Sequence, residues 1–205
     1  MNYISPLFFF FVLCLLPVGI GAQDTVFVTD ATLTNGNYHW TADKLYVLRD
    51  MVGLDSGGVL TIDAGTVIKA DVEQFPYPES GLGLIVARGA KIYANGTAAA
   101  PIIFTATSDN LDDPTDLGPR DHGLWDGLMI LGRARIATES GESYLNFREP
   151  FISRWPYGGD DDEDSSGSLR YVSVRHAGSL GHYLAGGSVA FLGVGRGTVV
   201  DHVES

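Results

Sequence analysis

The sequence LTIDAGTVI at residues 60–68 recurs as LIVARGAKI at residues 84–92, and this repetition decides the fold. Leucine begins both copies, glycine stands sixth in both and isoleucine ends both, at a constant offset of 24 residues. Each copy reads as a short strand, a corner at glycine and a second short strand, with apolar side chains alternating so that one face is buried. A unit this short cannot bury that face alone, so we expect the units to stack on one another.

Stacked β-coils are the architecture that this repeat predicts, because the mature chain has no run with the 3.6-residue period of a helix. Successive coils would lie about 4.8 Å apart, with equivalent aliphatic side chains forming ladders inside. We therefore predict an all-β protein, a parallel β-solenoid. The rule for parallel crossovers makes it right-handed.

Composition limits the possible partners. The chain of 205 residues has 13 basic and 25 acidic residues, which gives a formal net charge of -12. Nucleic acids and anionic membrane surfaces are therefore excluded as expected partners, whereas cations and neutral glycans fit.

The first 22 residues predict a secretory signal peptide. Residues 7–20 are almost continuously apolar, too few for a comfortable membrane span, and small residues follow at 21 and 22. A retained anchor is the alternative, because the segment contains no lysine or arginine. Cleavage would remove Cys14, the single cysteine, and would leave no membrane span. We expect a secreted protein or one on the outer cell surface.

Residues 23–56 are expected to cap the solenoid, because a first coil would otherwise expose an unpaired strand edge. Strand-like pieces occur at residues 25–29 and 44–49, separated by a turn at residues 35–37. Trp40 would close the hydrophobic end; stacking on a sugar is the alternative.

Motifs along the whole mature chain also resemble a family of secreted parallel β-helix repeat proteins common in Bacteroidetes and related marine bacteria. The resemblance rests on several motifs, namely WTADKLYVL at 40–48, LTIDAGTVIK at 60–69, LIVARGAKI at 84–92, GLWDGLMILG at 123–132, YGG at 157–159 and GVGRGT at 193–198. It implies a right-handed parallel β-helix, and members usually continue into further coils. It implies no particular activity.

The coils are expected to occupy residues 57–205, with excursions at 109–122 and 138–168. An offset of 44 aligns residues 128–130 with 84–86, which we expect to lie roughly two coils apart. An offset of 31 places residues 200–203 on 169–172. The chain stops inside an expected strand, so we expect it to be the N-terminal part of a longer protein with further C-terminal coils.

Five consecutive acidic residues at 160–164 predict a site for a hard cation, because their mutual repulsion needs solvent or a cation to relieve it. Calcium is the expected ligand, bound by Asp160, Asp162 and Asp164 with a backbone carbonyl. The spacing echoes the first half of an EF-hand loop, but Gly167 stands two positions late and Tyr171 occupies the twelfth position, so an EF-hand is excluded. A solvated acidic surface loop is the other interpretation, and the sequence favours it slightly over calcium binding.

The catalytic candidates are Arg170, Arg175, His176, Asp201 and His202, which surround two expected strands. Polysaccharide lyases and hydrolases use such side chains with carboxylates as acid and base. If the offset of 31 holds, Arg170 lies beside Asp201 in a surface salt bridge of small energetic value, and this is the interpretation we favour.

These patterns favour a secreted or cell-surface scaffold, an adhesive or glycan-binding module without catalysis. Its expected partner is an extracellular polysaccharide or a cell-surface glycan. The alternative is a carbohydrate-active enzyme, which predicts carboxylates converging in one groove. A calcium-stabilised spacer is the third interpretation. The aromatic side chains of the excursion at 138–168 are expected to contribute to binding, because loops on a rigid scaffold commonly carry function.

Overall fold

A computed structural model describes residues 23–74, 81–145, 155–178 and 187–205. The expected signal peptide lies outside these residues, as do Phe147 and Phe151, two of the aromatic residues in the expected excursion at 138–168. No helix long and apolar enough to cross a membrane occurs in the described part of the chain. The described residues form fifteen strands: β1 (Asp24–Val28), β2 (Asn37–Trp40), β3 (Lys44–Leu48), β4 (Met51–Leu54), β5 (Val59–Ile62), β6 (Val67–Ala70), β7 (Gly83–Val86), β8 (Lys91–Asn95), β9 (Ile102–Ala106), β10 (Gly127–Leu131), β11 (Glu142–Leu145), β12 (Trp155–Gly158), β13 (Gly167–Val174), β14 (Val189–Leu192) and β15 (Val199–Glu204).

Three parallel sheets surround one core. The first sheet has the order β2-β5-β8-β13-β15, and the second has the order β1-β3-β6-β9-β13. They share β13, whose first half pairs with β8 and whose second half pairs with β9 across a bend at Tyr171. The third sheet has the order β4-β7-β10-β14. The chain passes repeatedly from first to second to third sheet, so the predicted parallel β-helix is confirmed.

Aliphatic and aromatic ladders fill the interior, as the alternating pattern requires. On the second sheet, Phe104 pairs with Ile68 on one side and Val174 on the other, and each of the three side chains is at most 1% exposed. Corresponding ladders from the first and third sheets complete a continuous cluster of buried residues. Burial of these side chains is the main stabilising contribution to the coils.

The 24-residue offset is wrong as a stacking distance. Leu60 lies beside Ile92, 32 positions later, and Leu84 lies beside Val52 with the same separation. The offset instead relates β5 and β6 to β7 and β8, which are consecutive strand pairs along the chain and lie on different sheets. Residues 60–68 and 84–92 each form a strand, a corner at glycine and a second strand, so the similarity marks two corners of the coil and not two stacked coils.

The other two offsets identify true strand neighbours. Residues 128–130 pair with residues 84–86, as the offset of 44 predicts, but they lie in adjacent coils and not two coils apart. The excursion between β9 and β10 accounts for the extra length. Residues 200 and 203 pair with residues 169 and 172, which confirms the offset of 31.

The N-terminal segment closes one end of the core. β1 pairs with β3, while β2, β3 and β4 pair in parallel with strands of the next coil, so the segment expected to be a cap already contributes one set of coil strands. Leu33 is 2% exposed. Trp40 is 5% exposed and stacks on Tyr46 with ring centroids 4.7 Å apart, so it provides hydrophobic closure.

An antiparallel hairpin of β11 and β12 covers the outer side of the third sheet. Trp155 and Leu145 pack there against outward-facing side chains of β7 and β10, including Ile85 and Met129. Gly53 on β4 leaves room for the Trp155 ring. The third sheet is therefore buried on both sides over much of its area.

Candidate functional site

The three outer sides of the coil differ in what covers them. The hairpin covers the third sheet, and residues following β9 lie against part of the second, where Lys69 and Thr105 both contact Asp109. The outward side chains of the first sheet are all exposed or half-buried along β2, β5 and β8. This side, called the open face below, is an accessible sheet surface that neither the hairpin nor the residues following β9 are seen to cover.

The open face carries one middle row of side chains, one from each coil, at the ordinary parallel-strand spacing of about 4.8 Å. The row is fixed by strand register and consists of His39, Thr61, Tyr93, Ser168 and Val199. Tyr93 lies at its centre and is half-buried. A half-buried tyrosine among exposed hydroxyl and imidazole groups offers one apolar ring and several hydrogen-bonding groups on a flat surface.

A second row of polar side chains borders the first. Asn95, Arg170 and Asp201 are neighbours in register, and Arg170 Nη1 lies 3.1 Å from Asp201 Oδ2. The Ser168 hydroxyl donates to Asn95 Oδ1 over 2.9 Å. The predicted position of Arg170 beside Asp201 is confirmed. Both side chains are more than 40% exposed, so this pair has the geometry of a surface salt bridge.

Asp63 directly follows β5 of the first sheet and pairs with His39, whose Nε2 lies 2.7 Å from Asp63 Oδ1. Asp63 and Asp201 are separated by three coil steps, or about 14 Å at the ordinary strand spacing. Paired catalytic carboxylates of glycosidases lie roughly 5 to 9.5 Å apart. These two carboxylates are too distant to act as such a pair.

The corner beside the open face carries a stack of two rings. Tyr171 and His202 lie with ring centroids 4.3 Å apart and an interplanar angle of 18°. Their φ angles are 48° and 51°, in the left-handed region that non-glycine residues rarely adopt. His202 Nδ1 lies 2.7 Å from Asp201 Oδ1. The stack and the ion pair connect β13 to β15.

The acidic segment at 160–164 is fixed by hydrogen bonds to the backbone. Asp162 Oδ1 accepts the N–H of Arg135, and Asp164 Oδ2 accepts the N–H of Arg133, each over 3.0 Å. Within the described ranges, no three acidic, histidine or cysteine side chains gather in a way that would hold a metal ion. Asp160, Asp162 and Asp164 thus have no shared geometry around a cation, and calcium stays a prediction.

Arg175 and His176 lie at the end of β13, on the second sheet and away from the open face. Arg175 Nε donates to Ser173 Oγ over 2.9 Å. His176 Nδ1 lies 2.6 Å from the carbonyl oxygen of Asp121, and its Nε2 lies 3.9 Å from Asp109 Oδ2. The candidate catalytic residues therefore form two separate groups, one at the open face and one beside Asp109.

The excursion that contains Asp109 is also ordered by its own polar side chains. The Thr115 hydroxyl, followed by the Thr115 backbone N–H, lowers the pKa of Asp113, because both donate to its carboxylate. The charged form of Asp113 is thus favoured, and it stabilises the turn at residues 113–115.

Comparison with protein-family models decides the family. The model described as "Pectate-lyase like beta helix domain" matches residues 31–205, which is most of the chain. The chain belongs to the pectate-lyase-like β-helix family. Membership agrees with the three parallel sheets and fits a carbohydrate-related role. Comparisons with curated proteins and with solved structures found no match.

Sequence reasoning missed the role of the aromatic residues in the second excursion. Trp155 is 5% exposed and Tyr157 packs against the same cluster, so both stabilise the covered third sheet. Tyr144 is 51% exposed on the outer side of the hairpin. The glycine in the MVGL sequence of β4 was the available signal, since glycine within a strand often marks the close approach of another group.

Proposed function

We propose that this β-helix is a secreted or cell-surface module that binds an extracellular polysaccharide along the open face without cleaving it. The single observation that carries the proposal is the open face itself, where Tyr93 lies at the centre of rows of polar side chains. Four of the five side chains in the middle row can form hydrogen bonds, which suits a polymer that presents equivalent groups at regular intervals. Secretion rests on the signal peptide expected at residues 1–22.

The absence of a carboxylate pair on this face favours binding over hydrolysis. Asp63 is bonded to His39 and Asp201 to Arg170, so each carboxylate has its own cationic or imidazole partner. Their separation of about 14 Å exceeds what either glycosidase geometry uses. Binding needs only the hydrogen bonds and the ring of Tyr93.

The experiment measures binding and chain scission together. The protein is incubated with immobilised pectic, alginate and neutral polysaccharides, with calcium or with a chelator, while bound protein and new chain ends are measured. We expect binding to at least one polysaccharide without scission. Tyr93→Ala should weaken that binding about tenfold, as for a central contact residue.

Tyr144→Ala is the matched control, because it removes an exposed tyrosine from the hairpin outside the open face. It should bind like the unchanged protein. Equal losses for the two variants, or no binding to any polysaccharide, would refute the assignment to the open face. Circular dichroism checks that both variants keep the β-helix.

A carbohydrate-active enzyme is the second function that family membership allows. The observation that favours it is the group formed by His176, Asp109 and Thr105, where an imidazole lies near a carboxylate. Scission of any polysaccharide that is lost in His176→Asn would establish this function in place of simple binding.

Calcium binding by the acidic segment is proposed as a separate property. A ligand that binds only the folded state raises stability by mass action, so calcium should raise the Tm in proportion to the logarithm of its concentration. The double variant Asp160→Asn with Asp162→Asn should abolish this rise. A Tm that is the same with calcium and with chelator would refute calcium binding by the acidic segment.

A further inference from the structure

The excursion between β9 and β10, residues 107–126, is fastened to the second sheet at both of its ends and is called the strap below. At the first end, the Thr105 hydroxyl donates to Asp109 Oδ2 over 2.6 Å. Lys69 Nζ donates to the backbone carbonyl of Asp109 over 2.6 Å. Both donors are outward-facing side chains of the second sheet, so Asp109 holds the strap against that sheet.

The other end of the strap is bonded to the three residues that follow β13. Three consecutive strap residues donate to three consecutive carbonyls over 2.8 to 2.9 Å: Gly123 N to Ala177, Leu124 N to His176 and the Trp125 indole Nε1 to Arg175. Trp125 is 2% exposed, so this end is anchored in the core.

His176 connects the two ends through its side chain. Its Nδ1 lies 2.6 Å from the carbonyl of Asp121, and its Nε2 lies 3.9 Å from Asp109 Oδ2. The His176 side chain is 17% exposed and that of Asp109 is 7% exposed. The φ angle of His176 is 56°, a left-handed conformation that directs this side chain away from the regular strand geometry.

The contact with Asp121 fixes the imidazole tautomer. A carbonyl oxygen only accepts hydrogen bonds, so Nδ1 carries a proton. Nε2 then presents either a lone pair or, when the ring is protonated, a second N–H toward the Asp109 carboxylate. The lone pair repels the carboxylate, whereas the N–H attracts it, so protonation of His176 strengthens the contact between the two ends of the strap.

The other charged groups nearby are already engaged elsewhere. Lys69 contacts the Asp109 carbonyl, and Arg175 Nε donates to Ser173. Asp126 accepts the backbone N–H of Leu82. His122 follows Asp121 and is exposed. Among these groups, the titration that acts directly across the two ends of the strap is that of His176.

We infer that His176 and Asp109 form a proton-dependent clasp that holds the strap on the second sheet. The clasp requires protonated His176 and ionised Asp109, so it is closed at mildly acidic pH. It weakens when rising pH removes the imidazole proton, because the neutral ring presents a lone pair to the Asp109 carboxylate. Opening uncovers the outward row of Lys69 and Thr105 on the second sheet.

Hydrogen exchange of the strap tests the clasp without any glycan. Protection factors of the amides at residues 110–122, corrected for the intrinsic pH dependence of exchange, are measured at pH 5.5 and pH 8. We expect protection to fall about tenfold at the higher pH, because the buried Asp109 carboxylate then loses its attraction to a cationic ring 3.9 Å away. Unchanged protection in the unmodified protein would overturn the proposal.

Two variants separate protonation from simple structural support. His176→Asn keeps a residue that tolerates the left-handed backbone, and Asp109→Asn keeps an acceptor for Thr105. Both should show low protection at both pH values, with the tenfold pH difference gone. His202→Asn is the matched control, because His202 also has a positive φ and an aspartate partner but lies away from the strap. His202→Asn should keep the pH difference in protection. If His176→Asn also kept that difference, the clasp would be refuted.

Discussion

Gly53 is the residue on which the outer covering of the third sheet depends. A Cβ at this position would overlap the ring of Trp155 in the hairpin. The φ angle of Gly53 is not in the left-handed region, so the requirement for glycine is one of space. The close approach lets the indole lie directly on the strand and exclude water from Met51 and Ile85.

Gly53→Ala should therefore displace Trp155 and destabilise the protein by about 1 to 3 kcal/mol, the usual range for overpacking. Urea unfolding measures the free energy, and tryptophan fluorescence reports the movement of the ring. Gly118→Ala is the control, because its added Cβ meets only ordinary contacts and its φ is not positive. Equal stability of Gly53→Ala and the unmodified protein would show that the hairpin adjusts freely.

The acidic segment at residues 160–164 supports a neighbouring element, because its carboxylates accept hydrogen bonds from the backbone that follows β10. Asp164 accepts the N–H of Arg133 and also presents its own carbonyl to Gly197 in the next corner. One short segment thus bonds to two neighbouring parts of the chain. These hydrogen bonds give the carboxylates of Asp162 and Asp164 backbone partners within the run of five acidic residues.

Asp164→Ala should reduce the free energy of unfolding by about 1 kcal/mol, because the Arg133 amide loses its acceptor. Glu163→Ala is the comparison, since Glu163 and Arg196 form an ion pair with both side chains 72% exposed. Exposed pairs of this kind contribute little, so Glu163→Ala should leave the unfolding midpoint almost unchanged. Thermal melts at one salt concentration measure both; a larger loss for Glu163→Ala would reverse this assignment.

The fold class could be predicted from the sequence, but the stacking register could not be read from the same pattern. Residues such as Leu60 and Leu84 both point into the core, and burial alone does not say which sheet a strand joins. The true neighbour of Leu60 is Ile92, because loop lengths set the register. The pairing of Arg170 with Asp201 was predictable because the apolar residues on either side of each match at one offset of 31 positions.

The candidate site was less predictable than the fold. Tyr93 belongs to no recognisable motif. Its place in the candidate site follows from which outer faces the hairpin and the strap leave accessible. Likewise, the sequence alone is consistent with Trp155 either as a binding residue or as a packed one. The structure decides for packing, because the Trp155 ring lies against Gly53. Both depend on contacts between distant parts of the chain, which a local pattern does not contain.

At the scale of the whole molecule, each coil is stabilised mainly by its neighbours, as in other repeat proteins. Phe104 lies in a middle coil, is 0% exposed and contacts ladders on both sides. Val200 lies on β15, which pairs with β13 alone among the described strands, and is 47% exposed. Substitutions at these two positions should have effects of different extent.

Phe104→Ala should destabilise the protein by about 3 to 5 kcal/mol and reduce hydrogen-exchange protection in the coils on both sides. Val200→Ala should change stability by no more than about 0.5 kcal/mol, with any loss of protection confined to β15. Urea unfolding and exchange measured strand by strand provide the comparison. Similar, uniform effects of the two substitutions would contradict coil-by-coil stabilisation.

The unequal lengths of the coils have a consequence for engineering. Along the third sheet, successive neighbours are Val52, Leu84, Leu128 and Val189, separated by 32, 44 and 61 positions. The strands keep their order and spacing while the corners absorb the difference. New sequence inserted into a corner, such as a tag or a reporter domain, should therefore leave the geometry of Tyr93 and its neighbours intact. The corners are thus suitable sites for displaying peptides beside an open face of fixed geometry.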